Sequence, residues 1–393
     1  MGAAMIENIR VRNFKSLGEV TLPLAHFNCL IGMNGAGKST VLQVIDFLSQ
    51  QMHGDVQSWL NRRGWTAADL NCKLRMESNI SLAVEFRLSD GRLLTWIASF
   101  NRRNLRCSGE TITVDGAKLF QSTGTDYRIE ERARQTIAFT FEGSLLSRLK
   151  DSELPEALCH FRDYLRNTRS LELLSPHLLR LRARSEDKDI GVGGEKLSSF
   201  LSTLKGSARE QLVAALRSFY PRVADFKISS VRGGGKKLEV IETFDRHKLD
   251  TEATHLNDGL LRMLAVLAQA TSGHTLVLLD EIENGINQEI VERLVDTLVA
   301  SPQQFVVTTH SPLILNYLDD DVARKAVHFI YKTPEGESRI RQFFDIPRMG
   351  EKLRYMAPGD AFVDTDLEVL TEECLELDRS GDSAEVADAG SPE

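Results

Sequence analysis

A glycine-rich segment near the N-terminus has the residue types needed to bind phosphate groups. The segment, called here the phosphate loop, fits the pattern G-x-x-x-x-G-K-S/T and consists of Gly32, Met33, Asn34, Gly35, Ala36, Gly37, Lys38 and Ser39. Glycines let the backbone curl so that N–H groups point at phosphate oxygens, and a following helix adds partial positive charge. Lys38 would contact the β- and γ-phosphates, Ser39 would ligate Mg²⁺, and Thr40 would reach the α-phosphate. The sequence therefore predicts that residues 34–40 bind a nucleoside triphosphate.

Two carboxylates follow a short apolar run in the second half of the chain. Residues 276–279 predict a strand buried on both faces, and Asp280 and Glu281 follow its carboxyl end, where open α/β sheets place their ligands. Asp280 is suited to hold Mg²⁺, largely through water, and Glu281 to accept a proton from an attacking water. A strand ending in a solvated turn has a similar pattern, but the phosphate loop favours the catalytic interpretation.

A histidine follows the next predicted strand. Residues 305–308 are apolar or β-branched, and Thr309 and His310 come directly after them. Because strand ends in one parallel sheet meet along one edge, we expect His310 near the γ-phosphate, where it can hydrogen-bond the phosphate or the water. A histidine in this position also fits a purely structural role, and the two preceding motifs favour the functional one.

The elements that must position these residues alternate between strands and helices. Apolar periodicity predicts a helix at 40–48, another at 288–300, and a mostly helical region from 145 to 220. The predicted strands are 6–14, 19–24, 27–31, 80–88, 93–100, 112–114, 223–231, 237–244, 275–279, 305–308 and 327–331. The order strand, helix, strand is typical of a parallel α/β layer.

Composition narrows the class of protein. The chain has 393 residues, 42% of them hydrophobic and 26% charged, as in soluble globular proteins. No apolar run approaches the roughly 20 residues of a membrane span, and no secretory signal is present, so we expect a cytoplasmic protein without a membrane partner. Five scattered cysteines include no pair at C-x-x-C spacing, which argues against a zinc ribbon or redox pair.

The negative charge is concentrated near the C-terminus. Residues 360–393 carry twelve acidic residues and one basic one, so the other residues have a net charge of +3 although the total is −8. From Ser380 onward the composition is small and acidic, which predicts disorder. A basic, DNA-binding face on the body is therefore compatible with the composition.

One further segment completes a set of motifs. Residues 255–262, the signature segment, contain Asn257, Asp258 and Gly259 and open an apolar helix. With residues 9–16, the phosphate loop, residues 280–287 and 309–312, this order of motifs resembles the ABC ATPase superfamily. Within it, the chain is similar to compact heads of the overcoming-lysogenization-defect (OLD), RecF and SMC type.

The resemblance implies a fold and a mechanism. It implies an α/β P-loop NTPase head with a mixed sheet and a helical second lobe, binding ATP and Mg²⁺. The expected regions are a nucleotide-binding lobe (1–145 and 271–346), a mainly helical lobe with the signature segment (146–270) and an acidic, partly disordered tail (347–393). Lys38, Glu281 and His310 would be catalytic.

Dimerisation is also implied by the resemblance. The signature segment would bind the γ-phosphate of ATP held by the other copy of a homodimer, with Asn257 where serine is usual. Residues 284–287 occupy the D-loop position, and Arg262 is a candidate to support that loop. No glutamine suits the Q-loop position, since the segment 139–143 lacks one.

Three biological roles are consistent with these motifs. The first is an ATP-dependent regulatory subunit for a separate nuclease or effector acting on DNA, in a role such as phage defence. The second is a RecF-like repair ATPase that binds DNA itself. The third, a transporter motor, is disfavoured by the altered signature and the missing Q-loop glutamine. We expect neither a coiled-coil arm nor, with about 80 residues after His310, a nuclease domain.

Arginine-rich stretches are the candidate DNA contacts. Solvated faces of strands and helices explain them equally well. They are Arg62, Arg63, Arg102, Arg103, Arg106, Arg180, Arg182, Arg184 and the hairpin tip 232–237.

Overall fold

The computed structural model describes residues 3–172, 174–184, 189–270 and 273–388, with side chains described up to residue 380. Contacts divide the chain into two compact units. The first unit comprises Met1–Arg162 and Thr308–Glu393, and the second comprises Asp163–Val307. The lobe boundaries expected from the sequence (1–145 with 271–346, 146–270 and 347–393) follow from the roles of the motifs, not from packing, and they stay a prediction. The contact division assigns 271–307 to the second unit.

The strands are extended segments in which apolar residues alternate or run continuously. They are β1 (Met5–Phe14), β2 (Leu17–Pro23), β3 (Phe27–Ile31), β4 (Asn79–Arg87), β5 (Leu93–Asn101), β6 (Arg106–Val114), β7 (Ala117–Ser122), β8 (Asp126–Ile129), β9 (Gln135–Thr136), β10 (Thr168–Ser170), β11 (Val223–Ser230), β12 (Lys236–Phe244), β13 (His247–Glu252), β14 (Leu276–Leu279), β15 (Gln304–Thr308), β16 (Val327–Lys332) and β17 (Ser338–Gln342).

The described helices contain between four and 22 residues. They are α1 (Lys38–His53), α2 (Val56–Arg63), α3 (Glu156–Arg166), α4 (Pro176–Leu179), α5 (Leu197–Thr203), α6 (Gly206–Phe219), α7 (Asp258–Ala270), α8 (Gln288–Val299), α9 (Pro312–Asn316), α10 (Asp320–Ala326), α11 (Pro347–Lys352), α12 (Pro358–Val363) and α13 (Leu367–Asp388). Single 3₁₀ turns lie at Ala67–Asp69, Leu145–Ser147, Asp151–Glu153, Ala253–His255 and Phe343–Asp345.

A mixed sheet organises the first unit. Its strand order is β3-β16-β17-β2-β1-β4-β5-β6-β7-β8-β9. β16 is parallel to β3, β17 is parallel to β2, and the pairs from β2 through β9 are antiparallel. All five residues of β3 are buried, which indicates that the strand is covered on both faces. This strand leads directly into the phosphate loop.

The second unit has its own parallel strands and a small antiparallel sheet. β14 pairs in parallel with β10 and with β15, and all four residues of β14 are buried. β11, β12 and β13 form an antiparallel sheet. The apolar helix α7 supplies much of this unit's core, because most of its residues are buried.

The predicted elements agree with most of these strands. The strands β7–β10, β13 and β17 are absent from the sequence-based prediction. α13 continues to Asp388, and the disorder predicted from Ser380 onward stays a prediction. Residues 389–393 of that predicted segment lie outside the described residues.

A buried histidine lies beside the strand that carries the phosphate loop. His328 on β16 pairs in register with Leu30 of β3 and is fully buried. Its Nε2 lies 3.4 Å from Oδ1 of Asn28, and its Nδ1 has no hydrogen-bond partner among the described residues. Burial lowers the pKa of His328 to about 4. The imidazole is therefore neutral in the folded protein at neutral pH.

This histidine predicts an acid-sensitive fold. The unfolded chain binds a proton at His328 below about pH 6.5, whereas the folded chain does so only near pH 4. His328 should therefore have no effect on the free energy of unfolding above about pH 6.5. Between about pH 6.5 and about pH 4, its protonation in the unfolded chain should lower that free energy by up to about 1.4 kcal/mol per pH unit.

Urea unfolding of the wild type and of His328→Gln tests this expectation. The variant should lose less stability than the wild type between about pH 6.5 and about pH 4. Other groups, including the partly buried His274, titrate in both proteins and cancel in the comparison. Parallel pH profiles would contradict the assignment.

Candidate functional site

Glycines shape the phosphate loop where backbone approaches backbone. Gly32 has a φ of +144°, and a Cβ there would lie 2.2 Å from the carbonyl oxygen of Ile330 on β16. No L side chain fits this position without moving the strand. Gly37 has a φ of +117° and is the N-cap of α1, which therefore begins without a side-chain cap. The first turn of α1 thus points its N–H groups toward the loop.

Lys38 lies inside the loop rather than on its surface. The residue is 7% exposed, and its Nζ donates to the carbonyl oxygens of Gly32 at 2.9 Å and Met33 at 3.1 Å. The loop thus combines a buried ammonium group with an uncapped helix N-terminus. Both attract anions, so these residues fit the triphosphate predicted from the sequence. Asn34 and Gly35 form the exposed rim of the loop.

Hydroxyl groups from distant parts of the chain support the loop. Ser338 on β17 is fully buried, and its Oγ donates to the carbonyl oxygen of Ala36 at 2.6 Å and lies 2.9 Å from Oγ of Ser16. Ser16 in turn lies 3.4 Å from Oγ1 of Thr40. Ser338 is not recognisable from the sequence, because its neighbours carry no motif. Its contacts connect the β1–β2 turn, β17 and the start of α1.

His310 leaves the first unit's sheet at the same edge as the phosphate loop. The backbone N–H of Thr309 donates to the carbonyl oxygen of Leu30 at 3.2 Å, two residues before Gly32. Oγ1 of Thr309 accepts from the N–H of Ser311 at 2.9 Å, which shapes the turn into α9. His310 is exposed in this turn. The first unit therefore brings the loop and His310 to one edge.

The second unit holds Asp280 and Glu281, called here the acidic turn. They follow β14, and Glu281 has a φ of +47°, which is unfavourable for a residue with a side chain. Nδ2 of Asn284 donates to Oε2 of Glu281 at 3.1 Å, and the N–H of Asn284 donates to the carbonyl oxygen of Glu281. These contacts orient the carboxylate assigned as general base.

A buried guanidinium fixes the acidic turn to the signature helix α7. Arg262 is 8% exposed, and its Nη2 donates to the carbonyl oxygens of Asp280 at 2.6 Å and Glu281 at 2.9 Å. Burial lowers the pKa of Arg262, and the nearby carboxylates of Glu281 and Asp280 oppose that shift. The sequence analysis expected Arg262 to support residues 284–287. The structure places its contacts on Asp280 and Glu281 instead.

The signature segment packs against the D-loop segment, residues 284–287. A Cβ at Gly259 would lie 2.3 Å from the carbonyl oxygen of Gly285, so the two backbones touch only because residue 259 is glycine. Oδ1 of Asn257 accepts from the N–H of Leu260 at 2.7 Å and caps the first turn of α7, which begins at Asp258. Signature, D-loop and acidic turn are thus one packed group in the second unit.

Several candidate DNA contacts have protein partners. Arg63 pairs with Asp46 at 2.6 Å and is nearly buried. Arg180 pairs with Asp258 at 2.5 Å, and Arg182 with Glu252 at 2.6 Å. Because these three arginines are paired with carboxylates of the protein, they are weaker candidates for contacts with DNA phosphates.

Comparison with known proteins places this site in a family. Residues 27–316, well over half of the chain, match the family described as "AAA domain, putative AbiEii toxin, Type IV TA system". The chain belongs to this family. The family description supports the predicted ATPase activity. The likeness of this chain to a solved SMC head confirms the predicted P-loop NTPase fold.

Individual relatives are distant or match only in part. An OLD nuclease of Thermus scotoductus is 41% identical over 44 residues, which are 11% of this chain and 8% of that protein. An SMC head bound to the C-winged helix domain of ScpA is 14% identical, with a TM-score of 0.54 over 86% of this chain and 96% of that chain. The SMC head domain from Thermotoga maritima is 12% identical, with a TM-score of 0.46 over 86% and 98% of the two chains.

The search for membrane spans was negative. Within the described parts of the chain, every helix is too short or too polar to cross a bilayer.

The contacts of Arg262 predict a specific kinetic defect. Arg262→Ala should lower kcat by about tenfold to a hundredfold, because the acidic turn loses its anchor and Glu281, the predicted general base, is displaced. The KM for ATP should change less than kcat, because the phosphate loop is untouched. Steady-state ATPase assays at varied ATP measure both constants.

Arg262→Lys is the matched control. Lysine keeps the positive charge but lacks the planar fork that reaches two carbonyl groups, so its kcat should lie between those of wild type and Arg262→Ala. A higher KM with normal kcat would contradict the positioning role.

Proposed function

We propose that this ATPase binds Mg·ATP at residues 34–40 and closes as a homodimer around two nucleotides. In the proposed dimer, the side-chain amide of Asn257 and the backbone N–H groups of Asp258 and Gly259 of one copy bind the γ-phosphate held by the other copy. The packed group of signature segment, D-loop segment and acidic turn carries this proposal. In this group the N-terminus of α7, which would bind the phosphate, is packed against the turn that holds Glu281. Binding of one copy to the other copy's nucleotide could therefore change the position of the general base.

Each catalytic residue has a separate task in this proposal. Lys38 neutralises the β- and γ-phosphates, and Glu281 accepts a proton from the water that attacks the γ-phosphorus. His310 orients that water or the γ-phosphate by a hydrogen bond. Ser39, and Asp280 through water, would hold Mg²⁺, which would supply positive charge to neutralise the phosphates. The uncapped first turn of α1 and the buried ammonium of Lys38 support the nucleotide site.

The proposed output is control of a separate nuclease or effector that acts on DNA, in a role such as phage defence. The family description names a toxin system, and one matching relative is an OLD nuclease, although that match covers only 8% of the relative. An ATP-dependent closed state and an open state would present different surfaces to such a partner. This assignment of partner and role rests on analogy with those relatives.

A pair of variants tests the mechanism. Glu281→Gln should keep ATP binding, stop turnover and accumulate a dimer, because the amide cannot accept the proton but leaves the nucleotide contacts intact. Lys38→Ala should instead weaken nucleotide binding and stay monomeric. Sedimentation velocity with ATP and Mg²⁺, together with phosphate release, measures both properties. A Glu281→Gln protein that remains monomeric and hydrolyses ATP at the wild-type rate would refute the proposal.

Direct DNA binding, as in a RecF-like repair ATPase, is the second candidate. The turn between β5 and β6 carries Arg102 and Arg103, and Arg106 begins β6. The Arg106 guanidinium lies 5.2 Å from the ring centroid of Phe141. Phe139, whose ring lies 6.4 Å from that of Phe141, is 43% exposed. Basic and aromatic groups together are typical of nucleic-acid surfaces.

The DNA hypothesis predicts a strong dependence on salt. The double variant Arg102→Ala/Arg103→Ala should weaken DNA binding and flatten the slope of log K against log salt, because fewer counterions are released. Arg182→Ala, which removes an arginine paired with Glu252, serves as the control. Fluorescence anisotropy with labelled DNA measures the slopes. Binding that ignores salt, or an unchanged slope in the double variant, would exclude this surface.

A further inference from the structure

The signature segment carries a negative charge where an anion is expected to bind. Asp258 is the first residue of α7, and its side chain is 55% exposed. An acidic residue at this position stabilises the helix, because it interacts with the N-terminal partial charge. The same carboxylate would repel a phosphate group that approaches the end of the helix. A chain that uses this helix end for a γ-phosphate therefore needs a compensating charge.

Arg180 supplies a positive charge at this carboxylate. The residue follows α4, and its Nη2 donates to Oδ1 of Asp258 at 2.5 Å and to the carbonyl oxygen of Leu256 at 2.8 Å. Its Nη1 donates to the carbonyl oxygen of Pro176 at 2.8 Å. With its side chain 23% exposed, Arg180 is held from both sides. One guanidinium thus joins α4 to the backbone just before the signature helix and to its first side chain.

The neighbouring Arg182 makes a similar contact further from the helix end. It pairs with Glu252 at 2.6 Å, six residues before Asp258. Both arginines therefore brace the chain that enters α7, but only Arg180 touches the signature segment itself. Replacing Arg182 therefore tests support of the preceding chain alone, whereas replacing Arg180 also exposes the charge of Asp258.

We propose that Arg180 is a positioning residue that makes the signature segment competent to bind the γ-phosphate of a second copy. It neutralises Asp258 and fixes the backbone of Leu256, so that the N–H groups of α7 and the amide of Asn257 face the phosphate without a competing negative charge. This inference rests on the proposed function. It explains how the segment works with aspartate beside the asparagine that replaces the usual serine.

The experiment compares variants in the Glu281→Gln background, in which the ATP-bound dimer should accumulate. Arg180→Ala should weaken the ATP-dependent dimer by about tenfold or more, the scale expected when a charge-assisted hydrogen bond is lost and a like charge is exposed. Arg182→Ala should leave dimerisation near the parent level. Sedimentation over a range of protein concentrations gives the dimer Kd. Binding of a fluorescent ATP analogue to the monomer should be unchanged in both variants.

Removing the carboxylate distinguishes charge compensation from simple support. Asp258→Asn keeps the shape of the side chain, so the single variant should dimerise at least as tightly as its parent. The double variant Arg180→Ala/Asp258→Asn should regain most of the lost affinity. If Asp258→Asn weakens the dimer, or fails to restore it in the double variant, the charge-compensating role is overturned. The single variant remains decisive even where Arg180→Ala does not fold.

Failure of the proposed function has a different signature. If the Glu281→Gln parent itself stays monomeric with ATP while binding the fluorescent analogue, the dimer mechanism fails, and the role of Arg180 fails with it. If the parent dimerises and Arg180→Ala dimerises equally well, only the role of Arg180 is overturned.

Discussion

The bond between the Arg262 guanidinium and the acidic turn is the interaction on which the second unit's chemistry depends. The turn needs such an anchor because Glu281 has a left-handed backbone conformation that is costly for a residue with a side chain. Two carbonyl groups bound by one nearly buried fork hold that conformation. Removing one partner of a buried charged contact usually costs more than the contact itself contributes. Conversely, any shift of α7 is transmitted to the carboxylate assigned as general base.

The phosphate loop depends on a comparable constraint in the first unit. Its backbone lies so close to β16 that glycine is required at position 32, and Ser338 binds the carbonyl oxygen of Ala36 from β17. Strands that come some 300 residues later in the chain therefore shape the loop. The loop is preorganised, so little conformational entropy needs to be lost when phosphates bind. The buried Lys38 shows the same principle, since its ammonium group is held by two loop carbonyls.

The departures from the usual signature have a common physical explanation. Asparagine retains an amide that can donate to a phosphate, while its Oδ1 caps the first turn of α7. Aspartate adds helix stability at the same end, but its charge opposes an anion. The ion pair with Arg180 resolves this conflict within the second unit. Asn257, Asp258 and Arg180 thus act together at the N-terminus of α7.

The amino-acid sequence by itself determined the motifs and the elements that carry them. The glycine pattern at 32–39, the apolar runs before Asp280 and His310, and the helical periodicity after Lys38 are local signals, and each depends on neighbours within a few residues. The ATPase family and its fold follow from the order of these signals. The family comparison is consistent with both. The strands β7–β10, β13 and β17 lack such signals, because they are short or largely exposed.

Only the tertiary structure decided which side chains support the motifs. Ser338 touches the phosphate loop, Arg262 turns toward Asp280 and Glu281, and Arg180 reaches Asp258, although 18 to about 300 residues separate the partners. Hydrogen bonds of this kind depend on how elements pack in space, and spacing along the chain carries no record of that packing. For the same reason, the sequence does not show which arginines form ion pairs with a carboxylate of the protein. The contacts of a charged side chain are set by the fold around it.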